Sequence, residues 1–557
     1  MRRSAAALVV CALAFAAPAG AATITIVNSD GPGEGFNDAT PAAPVGGNPG
    51  TTIGAQRLYV FQYAATIWGN LLTSSVEIRV KARFDPLFCT TNAAVLGQAG
   101  PTAMWRDFPG APMAGYWYHA ALANRLAGSD QSTNDDIDAT FNSDLGGASC
   151  MPNGWYYGVD GSEGSKIELL PVVLHELAHG LGFSTATDGS TGGYALGYPS
   201  AFDHYLYDTG LGRHWDQMTA TERAASAVAC RRLVWDGANV MREAPMVLND
   251  KPAVRVNAPA SVAGVYDVGV ATFGPALTST GITADVVLVN DNFGSPTNAC
   301  EPLTNGAALS GKIALLDRGT CGFTVKVKNA QNAGAIAVIV CDSLPGCPPQ
   351  PMGGTDATIT IPSVRVTLDD GIRLKSAMAA GLNVTLKRDP ALNQGADGSN
   401  QVLMYAPTTY SGGSSVSHWD VSPDPDLLME PSMMSSVSSN VDLTRWFFVD
   451  MGWTGIPAAV TPPSGPPVST PTIALTASPN PLRSQGLVRF QLAQSATVTL
   501  EVLDANGRVM SRLADRESRP AGLNEIPYDP TTLHNGIYFL RLRTAAGEAI
   551  GKVAIAR

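Results

Sequence analysis

At 557 residues the chain is too long for a single hydrophobic core, and about three domains are expected. Charged residues make up 15% and hydrophobic ones 45%, with 57 glycines and 39 prolines, which excludes a disordered chain or a helical bundle and favours loop- and strand-rich globular domains. A net charge of −11, with no basic patch interleaved with aromatics, excludes a nucleic-acid partner.

Residues 1–21 read as a signal peptide. Arg2 and Arg3 precede an apolar stretch over 5–17, and Ala19-Gly20-Ala21 supplies a small-x-small cleavage site near Ala21. Its removal takes two positive charges and no acids, giving −11 − 2 = −13. The stretch is too short to cross a bilayer, and no later one reaches transmembrane length. The expected destination is extracellular or the cell surface. Cys11 leaves with the signal, so seven of the eight cysteines remain. Export makes disulfides expected, with Cys300–Cys321, Cys341–Cys347 and Cys89–Cys150 as the favoured pairs and Cys230 left over. Spacing alone does not fix that connectivity.

The region 22–249 opens with a Gly/Pro-rich entry. Residues 56–72 then read as an amphipathic helix, because Phe61, Ala64, Ala65, Trp68 and Leu72 recur at helical spacing. Residues 76–84 alternate apolar and charged, a half-buried strand. A second helix is expected over 118–126 and a strand over 137–141. An apolar run at 170–174 leads into His175-Glu176-Leu177-Ala178-His179-Gly180-Leu181-Gly182-Phe183. Two histidines four positions apart on a helix share a face and can bind one metal ion, and a glutamate beside the first can act on water at that metal. The pattern predicts the active-site helix of a zinc peptidase, with Gly180 and Gly182 marking its end. The plainer alternative is a buried amphipathic helix whose histidines only satisfy hydrogen bonds.

A catalytic zinc keeps three protein ligands and one open position. Six residues after His179 stands Thr185, a poor ligand, so the third must come from elsewhere. His204, His214, Glu222 and His418 are the candidates.

A different texture begins near residue 250. Residues 312–317 read as a strand, 325–333 as a helix with Phe323, Val327 and Ala330 on one face, and 335–340 as a continuous apolar strand. The run Gly-Lys-Ile-Ala-Leu-Leu-Asp-Arg-Gly-Thr-Cys-Gly-Phe, continuing through Lys328-Asn329-Ala330, closely resembles the protease-associated (PA) domain over roughly 250–388. That resemblance implies a non-catalytic lid or binding module inserted in an exported peptidase.

Beyond it, at 389–457, come Ser417-His418-Trp419-Asp420, Leu428-Met429-Glu430-Pro431 and Asp450-Met451-Gly452-Trp453. The order of HExxHxxGF, a long insertion, a histidine before Trp and an acid, a Leu-Met turn and a terminal Asp-x-Gly-aromatic resembles the leishmanolysin-type metzincins. The resemblance implies His418 as third ligand and Met429 as the Met-turn residue, whose thioether floors the metal without binding it. It also implies Gly182 as the glycine at which the chain leaves the helix. His204, His214, His119 and His534 then become structural. The 239 residues from His179 to His418 are no obstacle, since about 140 of them belong to a folded insert whose ends can lie close together.

Residues 458–472 form a Pro-rich linker, and 473–557 alternate like a small β-sandwich with Asn506-Gly507 as a hairpin turn. Ser478-Pro479-Asn480-Pro481, Asp504-Ala505-Asn506-Gly507-Arg508 and Asn535-Gly536-Ile537-Tyr538-Phe539 resemble the sorting domain of type IX secretion cargo and the immunoglobulin-like domain of flagellar hook-capping proteins. The first resemblance implies contact with secretion machinery or surface attachment.

The expectation is an α+β multidomain chain: a metzincin-like zinc peptidase domain split by an α/β PA-domain insertion and followed by a C-terminal β-sandwich. Its function would be hydrolysis of protein or peptide substrates as an endopeptidase, with Zn2+ held by His175, His179 and His418 and Glu176 as general base. Two residues after Met429 stands Pro431, so no tyrosine helper is assigned there. The alternatives are a non-catalytic cell-surface binding protein with a structural metal site, and a gluzincin-type peptidase using Glu222.

Overall fold

The computed structural model describes residues 20–432, 441–453 and most of 475–557. The linker at 458–472, the Asn506-Gly507 turn and His534 lie outside the described residues.

Ile24–Asn28, Ile78–Asp85 and Ile137–Asn142 run parallel, and Gly97–Pro101 closes one edge of their sheet antiparallel. Ile78–Asp85 alternates buried and half-buried positions, as its alternating apolar and charged residues require. The helix Ile53–Leu71 starts where the Thr52 side chain accepts the Ala55 N–H at 3.2 Å. It buries Val60, Phe61, Ala64 and Trp68. Phe61 meets Phe36 and Phe141 edge-on at 4.8 and 4.7 Å, and the Trp68 indole donates to the Leu174 carbonyl at 3.1 Å. Each such fully buried aromatic contributes about 2–3 kcal/mol.

That last bond ties the first helix to Leu169–Leu181, whose thirteen residues are all buried. Such a helix is a core element rather than a surface one. It ends at Gly182, with φ at 132° and its N–H turned back to the Ala178 and His179 carbonyls. Gly180 does not end it. A Cβ there would stand 2.4 Å from Ile137 Cγ2, so this glycine lets the helix lie close against the sheet. The second helix is shorter than expected, Ala120–Ala127, because Tyr118–His119 pairs as a strand with Met104–Trp105.

One apolar core draws on both 22–248 and 402–453. Phe183, Trp235 and Phe447 illustrate it, with ring centroids 4.2 Å apart for Phe183–Phe447 and 4.4 Å for Trp235–Phe447. Leu233–Trp235 also pairs with Val402–Leu403. The intervening chain builds its own eight-stranded sheet, in which Ile282–Leu288, Ile313–Asp317, Ala337–Cys341 and Ser363–Val366 are parallel neighbours. Its first long strand, Asp250–Ala258, pairs antiparallel with its last, Asn383–Asn393, so the chain enters and leaves this unit side by side. The C-terminal region is two sheets of three and four strands around a separate core that includes Val488, Phe490, Leu500, Val502 and Leu540.

Disulfides join Cys89–Cys150, Cys300–Cys321 and Cys230–Cys347. The expected Cys341–Cys347 pair is therefore wrong, and Cys230 is not left over. Cys341 is free and 1% exposed at the end of a fully buried strand, beneath Gly371 of the helix Leu368–Ser376. Its thiol faces the core while Cys347 sits in a loop, so six residues of separation do not bring them together. Among the described residues, no helix is long and apolar enough to cross a membrane.

Candidate metal centre

His175 and His179 project from one face of Leu169–Leu181, one turn apart. His418 arrives on the chain that returns from the inserted unit, anchored by the Tyr405 N–H donating to its carbonyl at 2.9 Å. The His175 Nε2 lies 3.1 Å from that of His179 and 3.2 Å from that of His418. All three imidazoles are buried.

Their remaining nitrogens explain the convergence. Nδ1 of His175 bonds to the Leu428 carbonyl at 2.7 Å, Nδ1 of His179 to the Phe183 carbonyl at 2.8 Å, and Nδ1 of His418 to the Ser414 carbonyl at 2.8 Å. A carbonyl can only accept, so each Nδ1 carries the proton and each Nε2 turns a lone pair toward the other two. Three lone pairs this close are unfavourable without a cation between them. Nitrogens about 2.05 Å from a tetrahedral zinc stand about 3.3 Å apart, which the observed spacings approach. The donor set therefore fits zinc. Burial holds His175 down to about 4; burial and then His175 hold His418 down to about 3, and burial keeps His179 well below the ordinary range. The rings stay neutral, the state in which imidazole binds a metal.

Glu176 follows His175 on the same helix and is 7% exposed. Burial pushes its carboxyl up to about 8, with the Ala99 N–H acting in the opposite sense. Gly97 makes room for it: a Cβ there would stand 2.9 Å from Glu176 Cγ. Trio and carboxylate line a cleft of about 940 Å³. One wall is 92–99, including the edge strand; the other is the Gly412–His418 stretch together with Thr185, Thr187 and 430–432.

Met429 is fully buried on the turn 427–430. This turn is pinned at successive backbone groups. The Leu427 N–H donates to Glu430, the Leu428 N–H to Asp442 at 2.5 Å, and the Met429 carbonyl accepts from Trp419 at 2.8 Å. The Leu428 carbonyl is thereby fixed for His175. Trp453 of the terminal Asp450-Met451-Gly452-Trp453 donates its indole N–H to the Leu181 carbonyl at the end of the histidine helix. The other candidates lie elsewhere. His204 pairs with Asp216 at 2.7 Å and His214 with Asp236 at 2.6 Å. Glu222 closes a capping box with Thr219 and meets Arg213. Thr185 gives its hydroxyl to Asp203 at 2.5 Å, and His119 is buried 3.4 Å from the Ser184 hydroxyl. Among the described residues, His175, His179 and His418 form the one cluster able to hold a metal. Sequence reasoning missed Asp442 and the three carbonyls. Asp442 had a faint signal, an acid two residues before Thr444 at a helix start, while backbone carbonyls carry none.

Residues 282–374 match the PA domain family, and residues 477–556 match the secretion system C-terminal sorting domain. The chain is similar to ER degradation-enhancing alpha-mannosidase-like protein 3 of Homo sapiens, 55% identical over 51 residues, 9% of this chain and 6% of that protein. It is also similar to vacuolar-sorting receptor 1 of Pisum sativum, 30% identical over 152 residues, 25% of this chain and 24% of the receptor. Minor extracellular protease Vpr of Bacillus subtilis is 37% identical over 76 residues, 14% of this chain and 9% of the protease. The chain thus spans a quarter or less of the length of these relatives. Among solved structures, an aminopeptidase from Aneurinibacillus sp. strain AM-1 aligns at 25% identity and TM-score 0.20, covering 26% of this chain and 31% of that one. The zinc aminopeptidase BSAP of Bacillus subtilis aligns at 24% identity and TM-score 0.19, covering 30% and 38%. The three histidines lie outside both family matches. The chain therefore joins a PA domain and a C-terminal sorting domain to a body in which three imidazoles meet.

Proposed function

We propose that this chain is an exported zinc endopeptidase. Its catalytic body would comprise 22–249 and 389–457, with the PA domain inserted at 250–388 and the sorting domain at 473–557. The observation that carries the reading is the convergence of three buried Nε2 atoms, from His175, His179 and His418, in a cleft beside Glu176. A metzincin-like arrangement is supported by the motif order and by Met429, buried on the turn whose Leu428 carbonyl holds His175. The apolar core shared by 22–248 and 402–453 supports a single body split by the insert.

Zinc bound by the trio would acidify a water and polarise the scissile carbonyl. Glu176 takes the proton from the attacking water and delivers it to the leaving amine. Gly97–Pro101 has one paired neighbour in its sheet, and 96–99 line the cleft. An extended substrate can add to such an edge through its backbone, which favours an internal bond over a chain terminus. The sorting domain supports delivery to the exterior or the cell surface, with secretion machinery as a second partner.

The test is Glu176→Ala. The variant should keep its zinc and lose cleavage of an unstructured protein such as casein by at least about a hundredfold. Undiminished turnover, or a full zinc complement in the unaltered chain with no chelator-sensitive cleavage, would overturn the reading.

A further inference from the structure

The described walls of the cleft are almost free of charge. Besides the three histidines and Glu176, the one charged side chain among the described residues lining it is Glu430. The remainder are small, apolar, amide or hydroxyl-bearing. Glu430 is 4% exposed. One of its oxygens accepts the Leu427 N–H at 2.8 Å. Among the described residues nothing donates to the other oxygen and no cation pairs with it, yet it is not among the fully enclosed unpartnered atoms. Glu430 lines the cleft, and that oxygen is not fully enclosed. Burial lifts its carboxyl, the Leu427 N–H opposes, and the acids Asp426, Asp420 and Asp442 add to the lift, together to about 8.

A carboxyl held in this way is hard to ionise while it lacks a cationic partner. Without a partner the charged form is costly, and a cation entering from the cleft would remove the cost. A role confined to bracing the turn needs no charge at all, because a neutral amide oxygen can accept the same Leu427 N–H.

We propose that Glu430 is a specificity-determining residue that receives a Lys or Arg side chain of the peptide substrate over the turn 427–430. This rests on the peptidase reading above. A charge-assisted contact to a desolvated carboxylate is strong enough to dominate selection in a cleft that offers no other charge.

The experiment uses the zinc-loaded full chain and Glu430→Gln, which keeps the side chain's shape and its bond to Leu427. Cleavage sites in an unfolded protein digest are mapped first. The expected profile has Lys or Arg enriched at one fixed position from the scissile bond. Two peptides that differ only there, Lys against norleucine, should differ by about tenfold or more in kcat/KM, and Glu430→Gln should bring the ratio toward one. Binding of the same pair to Glu176→Ala, followed by calorimetry, reads the pocket without chemistry. Equal affinity there, or an unaltered cleavage profile in Glu430→Gln with full zinc content, overturns the proposal and leaves the peptidase reading standing. Preferential binding of the Lys peptide with no cleavage by the unaltered chain would sustain the Glu430 pocket and fell the peptidase reading instead.

Discussion

Two groups of histidines stand in the same body and are held in different ways. His175, His179 and His418 each give Nδ1–H to a backbone carbonyl and turn Nε2 toward the other two at 3.1–3.2 Å. His204 and His214 stack on each other with ring centroids 5.9 Å apart, and each meets a carboxylate, of Asp216 and of Asp236. In the first group every ring has one nitrogen spent on the fold and one left over, and the leftovers meet. Among the described residues, the second group forms no cluster that could hold a metal. The lesson is that proximity of imidazoles does not make a metal site. What makes one is the group that fixes the far nitrogen, together with the convergence of what remains.

The sharpest way to break the comparison is His418→Ala. Zinc affinity should fall by more than the about 10–100-fold that loss of an outer partner brings, as it should for His175→Ala. Competition against a chromogenic chelator measures it, and an affinity within about tenfold of the unaltered chain would show that the third imidazole is not a ligand. A smaller effect is expected of Asp442→Ala. It removes the acceptor for the Leu428 N–H and loosens the carbonyl that orients His175, so zinc should bind about tenfold more weakly while the chain stays folded. Unchanged affinity would mean that the turn does not position the ring. The least effect belongs to the second group. His204→Gln and His214→Gln should leave zinc content untouched and cost about 1 kcal/mol or less in urea unfolding, since the histidine of each pair is partly open to solvent. Zinc loss in either variant would erase the distinction.

The two groups also differ in how far the sequence revealed them. His175 and His179 announce themselves because a helix repeats every 3.6 residues and their spacing is local. The strand at Ile78–Asp85 and the helix at Ile53–Leu71 were legible for the same reason, each carrying a regular apolar period. His418 carries no period that relates it to the helix. It was singled out by the order of surrounding motifs, across an insert whose ends prove to be paired strands. The carbonyls of Phe183, Ser414 and Leu428 left no trace, because a backbone group has no residue identity. The cysteines misled through the opposite error. Six residues separate Cys341 from Cys347, but a buried strand aims the first inward, and the second finds Cys230 across 117 residues. Short separation predicts contact only where nothing else decides which way a side chain points.

That long-range bridge has a topological consequence. Cys230 precedes the inserted unit and Cys347 lies within it, so the covalent structure there is a closed ring and not a line. A single peptide-bond break anywhere from 231 to 346 opens the ring without releasing a fragment: the N-terminal piece retains Cys230, the C-terminal piece retains Cys347, and one molecule of unchanged mass (apart from the added water) persists until a thiol reductant separates them. A single nick in this stretch would therefore leave the PA domain attached.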